Sequence, residues 1–157
     1  MLWTTGAAGQ PAVLPLAPTD FLRVVEIWEA SVRATHHFLT EANIQFFKPL
    51  VREVLPEIPH LAGVRAVDGQ VAGFIGIVGS KIEMLFIHPD WRGQGAGRRL
   101  IAYAVDTLGA TLVDVNEHNP QALGFYLHLG FEVIGRSALD GTGKPFPLLH
   151  MRLRGLP

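Results

Sequence analysis

The feature of this sequence that most constrains its fold is the glycine-rich segment Arg92 to Gly97 (RGQGAG). Before it, Lys81 to His88 (KIEMLFIH) is typical of a buried strand, and after it Arg98 to Leu108 has apolar residues at helical spacing. A glycine-rich turn from a strand into a helix directs backbone N–H groups, and the positive end of the helix dipole, toward an anion. The segment therefore predicts a phosphate or diphosphate site.

Two common phosphate motifs do not match this segment. A P-loop needs Lys and then Ser or Thr after its last glycine, whereas Arg98 and Arg99 follow Gly97 here. The dinucleotide fingerprint G-x-G-x-x-G needs glycine at position 98, although Asp114 lies at about the right distance downstream to contact a ribose. A nicotinamide-dependent oxidoreductase is therefore a weak alternative.

The segments before the loop predict an edge strand, two helices and an antiparallel meander. Pro15 suits an edge strand, and Pro49 is expected to kink or split the second helix. The Asp68-Gly69 turn between two β-branched runs is a strong hairpin signal. The predicted elements are a strand over Pro11 to Leu16, helices over Phe21 to Ala34 and Thr40 to Leu55, and strands over Gly63 to Val67, Val71 to Val78 and Lys81 to His88.

The segments after the loop alternate between helix and strand. Gly109 is expected to end the first of these helices, and Asn119-Pro120 to begin the second. Strands are predicted over Thr111 to Val115, from Phe131 to Ile134 and over Leu148 to Leu153, with helices over Arg98 to Leu108 and from Asn119 through Leu129. The order β-α-α-β-β-β-α-β-α-β-β predicts an α/β fold with a mixed sheet, antiparallel in its first half and parallel in its central strands.

Length and composition limit the classes of function. The 157 residues, 48% of them hydrophobic, predict one domain spanning residues 1–157. A net charge of −1 without a Lys/Arg block argues against nucleic-acid binding. The absence of cysteine excludes an acyl-cysteine intermediate, and the histidines have no metal-ligand spacing, so no metal is predicted. With no signal peptide or apolar run of about 20 residues, we expect a cytoplasmic protein that does not bind membranes.

Two motifs in this order resemble those of the GNAT superfamily of N-acetyltransferases. The stretch KIEMLFIHPDWRGQGAGRRL resembles the core motif, in which an apolar strand precedes R/Q-x-x-G-x-G/A and a helix. The second signature, N-x-x-A-x-x-F-Y-x-x-x-G-F, recurs from Asn119 to Phe131. The segments ATHHFL and GKPFPLLHM resemble a small bacterial subgroup of the family. The resemblance implies the GNAT fold and acetyl-CoA as co-substrate, but it does not specify the acceptor.

The resemblance assigns many of these residues to acetyl-CoA. The backbone of Leu85, Phe86 and Ile87 would pair with the pantetheine arm, and an amide near Ile87 would polarise the thioester carbonyl. Asn119 would contact the cofactor, a role that is compatible with simple N-capping. The residues expected to bind the diphosphate are Arg92, Gly93, Gln94, Gly95, Ala96 and Gly97.

The resemblance also assigns an acid and two candidate bases. Tyr126 lies seven residues after Asn119, on nearly the same helix face, and matches the family's general acid. A core tyrosine packed beside Phe125 is the alternative. An amine must lose a proton before it attacks a thioester. Glu83 is the first candidate for the base, Asp114 the second, and a water held by a carboxylate is a further route.

Four polar residues are candidates for the acceptor pocket, although ordinary exposed residues are an alternative interpretation of each. These are His36 and His37 between the first two helices, and Lys144 and His150 beside the late loop. Exposed apolar residues such as Trp3 or Phe46 could contribute to a homodimer. The sequence thus predicts direct transfer of an acetyl group to a primary amine, of a small molecule or a peptide, in a ternary complex. The alternative is a non-catalytic acyl-CoA-binding module that acts as a sensor or partner domain.

Overall fold

The computed structural model describes residues 11–155, which form a seven-stranded sheet with helices on both faces. The order of the elements along the chain is the predicted one. The strands are β1 (Leu14–Pro15), β2 (His60–Arg65), β3 (Val71–Val78), β4 (Lys81–Ile87), β5 (Leu112–Asn116), β6 (Phe131–Ser137) and β7 (Leu148–Leu153). The helices are α1 (Phe21–Thr35), α2 (Glu41–Val54), α3 (Ala96–Leu108) and α4 (Pro120–His128).

The first half of the sheet is the predicted antiparallel meander. Strands β1 to β4 lie side by side in chain order, each antiparallel to the next. Strand β1 contains Pro15 and lies at the edge of the sheet, as expected for a residue that cannot donate a ladder hydrogen bond. Strand β3 lies inside the sheet, and its Phe74 and Ile75 are fully buried in the cores on opposite faces.

The second half of the sheet contains the parallel pair. Strand β5 runs parallel to β4, as the sequence indicated for the central strands. The last strand, β7, is inserted antiparallel between β5 and β6. Strands β5 and β6 therefore run in the same direction, as a strand–helix–strand unit implies, but they do not pair with each other.

The two faces of the sheet carry separate cores. Helices α1 and α2 cover one face, where Val24 and Ile27 pack in the same cluster as Phe74. Helices α3 and α4 cover the other face, where Leu100 and Val113 pack together. Each fully buried side chain of this size stabilises the fold by about 1.5–3 kcal/mol relative to an exposed one. Both helix pairs are thus fixed on a rigid sheet.

Helix α2 continues through Pro49 from Glu41 to Val54. The expected split at Pro49 is therefore wrong. Pro49 is exposed, so the carbonyl of Gln45, which loses its intrahelical donor, faces the solvent side of the helix and can bind water. The helix ends before Pro56, as the sequence indicated.

Strand β4 carries a bulge at Glu83. Ile82 pairs with Ile77 of β3 and Met84 with Gly76, so Glu83 has no partner directly opposite. Strict alternation would place Ile82 and Met84 on one face, but Ile82 lies in the core under α3 and Met84 in the core under α1. The bulge therefore resets the alternation of β4 just where the strand reaches the candidate site.

Candidate active site

A split in the sheet forms the base of the candidate site. Strands β4 and β5 pair only at Lys81 with Leu112 and at Ile82 with Val113. Beyond Ile82, this side of β4 has no strand partner within residues 11–155. Backbone N–H and C=O groups on such an edge can pair with an extended ligand, as a further strand would.

A cleft of about 470 Å³ lies beside this free edge. Its volume falls within the range of about 300–1,000 Å³ that is usual for ligand sites. Gln94 is the one predicted cofactor residue among the described positions that does not line it. The predicted cofactor residues that do line it are Leu85, Phe86, Ile87, Arg92, Gly93, Gly95, Ala96, Gly97, Asn119 and Tyr126.

The loop at one end of the cleft has the geometry of an anion site. Gly93 and Gly95 have φ values of 72° and 89°, in the left-handed region that favours glycine. Within residues 11–155, the amides of Gly93, Gln94 and Gly95 donate no backbone hydrogen bond. Helix α3 begins directly afterwards, at Ala96, and adds its own unpaired N–H groups and its dipole.

Two contacts hold this loop against α4. The Nη2 group of Arg92 donates a hydrogen bond to Oε1 of Gln121 over 3.1 Å. An added Cβ on Gly97 would lie 3.4 Å from a ring atom of Phe125, so α3 and α4 approach closely at this position. Gln121 and Phe125 also line the cleft, and sequence reasoning gave neither of them a role in the site.

Asn119 begins α4 as its N-cap, as predicted. Its Oδ1 accepts a hydrogen bond from the backbone N–H of Ala122 over 3.2 Å. The residue is only 9% exposed, yet it lines both the main cleft and a smaller cavity beside it. Within the described residues its side-chain NH₂ has no hydrogen-bond partner, so capping leaves that group available to a ligand.

Tyr126 is both a core residue and a cleft residue. It is 5% exposed, and its ring packs edge-on against Phe125 and Phe131, with centroids 5.2 Å and 5.4 Å away. Burial raises the pKa of the Tyr126 phenol well above its ordinary value. The hydroxyl therefore stays protonated at neutral pH and can donate a hydrogen bond into the cleft that the residue lines.

The smaller cavity, of about 120 Å³, lies in the split between β4 and β5. Glu83 and Asp114, the two candidate bases, both line it. His36, Asn119 and Tyr126 line both cavities, so the two spaces adjoin at these side chains. The fold thus brings the predicted acid, both candidate bases and one acceptor-pocket candidate to one place.

Both carboxylate oxygens of Asp114 already accept hydrogen bonds within the fold. Its Oδ2 accepts a hydrogen bond from Lys81 Nζ over 2.7 Å, and its Oδ1 accepts one from His150 Nδ1 over 2.7 Å. Burial opposes ionisation of Asp114, but the bonds from Lys81 and His150 outweigh it and hold its pKa below the ordinary value. The carboxylate of Asp114 is therefore ionised. Its hydrogen bonds from Lys81 and His150 stabilise the ionised form, which makes Asp114 a poor proton acceptor.

His150 extends this network away from the cavity. Its Nε2 lies 2.7 Å from the hydroxyl of Ser137. Because Asp114 accepts from Nδ1, the Ser137 hydroxyl donates to Nε2 when the imidazole is neutral. Neither His150 nor Ser137 lines either cavity in the described part of the chain. His150 thus reaches the site only through Asp114, and the sequence gave no signal for Lys81 or Ser137 because their partners lie on other strands.

Glu83 is the more open of the two carboxylates. Its side chain is 41% exposed, against 22% for Asp114. Its Oε1 lies 3.9 Å from Lys81 Nζ, beyond hydrogen-bond distance. The pair is thus a weak ion pair, and Glu83 retains room to bind a water or an amine.

The remaining acceptor-pocket candidates fall into two groups. His36 lines both cavities, whereas its neighbour His37 is exposed and lines neither within residues 11–155. Lys144 also lines neither, and its Nζ lies 4.3 Å from the ring centroid of Phe46, a cation–π contact on the surface. Phe46 is 42% exposed, and Trp3, the other residue suggested for a dimer contact, lies outside the described residues.

The late loop packs against the connection between α1 and α2. The ring of Phe146 lies 5.7 Å from that of Phe38 and 6.2 Å from that of Phe47. Phe38 also contacts His36 and His118, at 5.3 Å and 5.8 Å between centroids. These aromatic contacts join three connections of the chain beside His36, so the wall of the acceptor side is built from distant segments.

Known proteins are similar to this chain in sequence and in fold. The family model described as acetyltransferase (GNAT) domain matches residues 60–133. The peptidyl-lysine N-acetyltransferase YjaB of Escherichia coli strain K12 is 44% identical over 132 residues, covering 84% of this chain and 89% of that protein. This chain belongs to the GNAT acetyltransferase family.

One further relative and a solved structure of Escherichia coli YjaB agree with this assignment. The Salmonella typhimurium protein named peptidyl-lysine N-acetyltransferase YjaB is 43% identical over 129 residues, covering 82% of this chain and 88% of that protein. The solution structure of apo-form YjaB from Escherichia coli superposes with a TM-score of 0.85 at 39% identity, covering 94% of this chain and 99% of that one. The predicted GNAT fold is confirmed, the chain is an N-acetyltransferase, and the oxidoreductase alternative is wrong.

Residues 11–155 contain neither a membrane-spanning helix nor a cluster of metal ligands. No helix there is long and apolar enough to span a membrane. No group of three or more His, Asp or Glu side chains in that range is arranged to hold a metal ion.

Proposed function

We propose that this GNAT enzyme transfers an acetyl group from acetyl-CoA directly to a primary amine in a ternary complex, and that the acceptor is a lysine side chain of a protein. The observation that carries the proposal is the meeting of a free strand edge, a loop of unpartnered amides and Tyr126 in one cleft. The names of its relatives, which are peptidyl-lysine N-acetyltransferases, support a lysine as the acceptor.

The cleft suits the long, partly charged shape of acetyl-CoA. The diphosphate would accept hydrogen bonds from the amides between Arg92 and Gly97 and from the first turn of α3. The pantetheine arm would pair with the free edge of β4 at Leu85 to Ile87, and an amide near Ile87 would donate to the thioester carbonyl. The thioester would then lie near the split, where the two cavities adjoin.

The reaction conserves atoms and electrons without a covalent enzyme intermediate. The amine nitrogen attacks the carbonyl carbon, the C–N bond forms, the C–S bond breaks, and sulfur leaves with its electron pair. The proton lost from nitrogen is balanced by the proton that the thiolate finally takes up, giving an amide and free CoA. The chain has no cysteine, so direct attack replaces a route through an acyl-cysteine.

Tyr126 would stabilise the leaving sulfur. A thiol has a pKa of about 8.5, so a thiolate is not basic enough to remove the proton fully from a phenol whose pKa lies above 10. The hydroxyl would therefore act first as a hydrogen-bond donor to the developing negative charge. Such charge-assisted bonds are roughly twice as strong as neutral ones.

Glu83 is the proposed base, and Asp114 a positioning residue. Both oxygens of Asp114 already accept hydrogen bonds, whereas Glu83 at the β4 bulge is open to a water or to the amine. Glu83 would take the proton of the ammonium through a held water, and solvent would then remove that proton.

The test is an assay of CoA release with acetyl-CoA and three acceptors: a peptide with one internal lysine, a peptide with a free N-terminus and no lysine, and spermidine. We expect saturable turnover with the lysine peptide, intersecting double-reciprocal lines that indicate a ternary complex, and acetylation at the ε-amine by mass spectrometry. Tight CoA binding without turnover on any amine would instead favour the non-catalytic acyl-CoA-binding module.

A further inference from the structure

His36 occupies the junction of the two cavities at the end of α1. It is the C-cap residue of that helix, and it lines both spaces together with Asn119 and Tyr126. Its ring lies 5.3 Å from that of Phe38 and 6.4 Å from that of Phe86. The imidazole is thus held among aromatic side chains beside the place proposed for the thioester.

The hydrogen bonds of the preceding residue fix which ring nitrogen carries the proton. Thr35 Oγ1 lies 2.8 Å from the backbone carbonyl oxygen of Ser31, and a carbonyl oxygen can only accept. The one hydroxyl proton of Thr35 therefore points at Ser31. Thr35 Oγ1 also lies 2.8 Å from His36 Nδ1, and in that contact it must accept. Nδ1 of His36 is accordingly the protonated nitrogen, and Nε2 carries the lone pair.

The lone pair on Nε2 is not used within the fold. In the described part of the chain no hydrogen bond reaches Nε2 of His36, and this atom is not among the fully enclosed, unpaired ones. Burial lowers the pKa of His36 to about 4, and electrostatic interactions with His37 and Arg92 act in the same direction. At neutral pH the ring is thus uncharged and does not repel a cationic acceptor that enters the cleft.

We propose that Nε2 of His36 accepts an N–H hydrogen bond from the acceptor amine and thereby turns the nitrogen lone pair toward the thioester. This inference rests on the proposed function, and it names the contact by which the amine is held. Both oxygens of Asp114 already accept hydrogen bonds from Lys81 and His150, whereas Nε2 of His36 accepts none within the described residues. His36 is a substrate-binding residue in this scheme, and Thr35 is a positioning residue that keeps its tautomer.

The kinetic test uses two substitutions of His36 that differ in reach. The amide of Gln extends to about the position of Nε2, whereas the amide of Asn extends only to that of Nδ1. With acetyl-CoA and the lysine peptide, H36N is expected to lower kcat/KM for the peptide about 5- to 10-fold, the effect of losing one hydrogen bond between neutral groups. H36Q is expected to recover most of that loss. The KM for acetyl-CoA is expected to stay unchanged in both.

The matched control is H37N, which changes the exposed neighbour and is expected to leave the kinetics unaltered. Circular dichroism melts establish that each variant folds. Wild-type kinetics in H36N, or equal losses in H36N and H36Q with a raised KM for acetyl-CoA, would overturn the inference. If the wild-type enzyme acetylates no amine at all, the proposed function fails, and this inference fails with it. If the wild-type enzyme is active and H36N matches it, only the inference fails.

A measurement without substrate tests the tautomer itself. Nitrogen-15 NMR of the histidine rings at pH 7 is expected to show His36 with its proton on Nδ1. The T35V variant, which removes the acceptor Oγ1, is expected to lose this preference and to lower kcat/KM several-fold, whereas T35S is expected to retain both. A proton on Nε2 in the wild-type protein would overturn the proposal whatever the kinetics.

Discussion

The two ends of the cleft are built in different ways. At the cofactor end, backbone amides from one short segment, Gly93 to Gly95, have no hydrogen-bond partner in the described chain. At the acceptor end, the carboxylate of Asp114 is occupied by Lys81 and His150, which come from two other strands. The cofactor end therefore presents unused donors to a ligand, while the acceptor end presents a charge that the fold has already neutralised.

This difference indicates which groups of the protein bind the diphosphate and which bind the amine. A diphosphate can be bound by main-chain groups that cost no reorganisation, because glycine geometry fixes them before the ligand arrives. An amine must be bound by a group that can accept its N–H, and at this end Glu83 and His36 Nε2 accept no hydrogen bond within the described residues, whereas both oxygens of Asp114 already accept one.

The substitution Y126F should have the largest effect on turnover. Loss of the donor to the leaving sulfur is expected to lower kcat by about 100-fold or more, as is typical for a positioned acid, with the Kd of acetyl-CoA unchanged. Y103F, at the other tyrosine of the chain, is the matched control and should retain wild-type kcat. Stopped-flow or steady-state assays measure both, and wild-type kcat in Y126F would contradict the role given to Tyr126.

The pH dependence of stability should report the partly buried His36. Its folded pKa of about 4 lies below the ordinary 6.5, so the unfolded chain binds more protons between these values. The free energy of unfolding should therefore fall as the pH is lowered through this window, by on the order of 3 kcal/mol for this group. Urea melts from pH 7.5 to 4 should show a correspondingly smaller fall in H36N. Equal falls in both proteins would contradict the burial of a neutral imidazole.

The substitution G95A should weaken the cofactor end. Gly95 has φ of 89°, so a side chain is strained there, and the displaced amides are expected to raise the Kd of acetyl-CoA at least about tenfold. G79A is the control, because Gly79 also has a positive φ, of 60°, in a turn that lines neither cavity within residues 11–155. Calorimetric titration should show the weaker binding in G95A alone. Similar affinities of G95A and G79A for acetyl-CoA would contradict a role of this loop in binding the cofactor.

The substitution K81M should lower the stability of the protein only slightly. At the acceptor end it should change the pKa of Asp114 and the KM for the lysine peptide. The Lys81 side chain is 35% exposed, so its loss is expected to cost only about 1 kcal/mol. K48M is the control, because the ion pair of Lys48 with Glu29 has similar exposure and a distance of 2.6 Å. The pKa of Asp114, followed by carboxyl NMR, should rise in K81M only, and the KM for the lysine peptide should change in K81M only.

The fold was predictable because its signals are local. The turns at Asp68-Gly69 and Gly109 and the apolar periods give the elements in the right order. The insertion of β7 between β5 and β6 was not predictable, since it depends on which distant strand fills the gap. Pro49 does not split α2, contrary to one of the two expected outcomes, because an exposed helix face can leave a carbonyl to water.

In the candidate site, too, residues of local motifs could be predicted from the sequence, whereas contacts between distant residues could not. Residues of the two local motifs, such as Gly95, Asn119 and Tyr126, line the cleft, and their binding and catalytic roles stay predictions. The occupancy of Asp114 depends on Lys81 and His150, which lie 33 and 36 positions away along the chain, and no short pattern predicts such pairs.

A crystal structure of the protein with CoA would test most directly whether the glycine-rich loop binds the diphosphate and Tyr126 lies beside the sulfur. We expect the diphosphate to accept hydrogen bonds from the amides between Gly93 and Gly97, and the sulfur to lie within hydrogen-bond reach of the Tyr126 hydroxyl, beside the split between β4 and β5. A diphosphate bound away from the loop, or a sulfur remote from Tyr126, would contradict this arrangement.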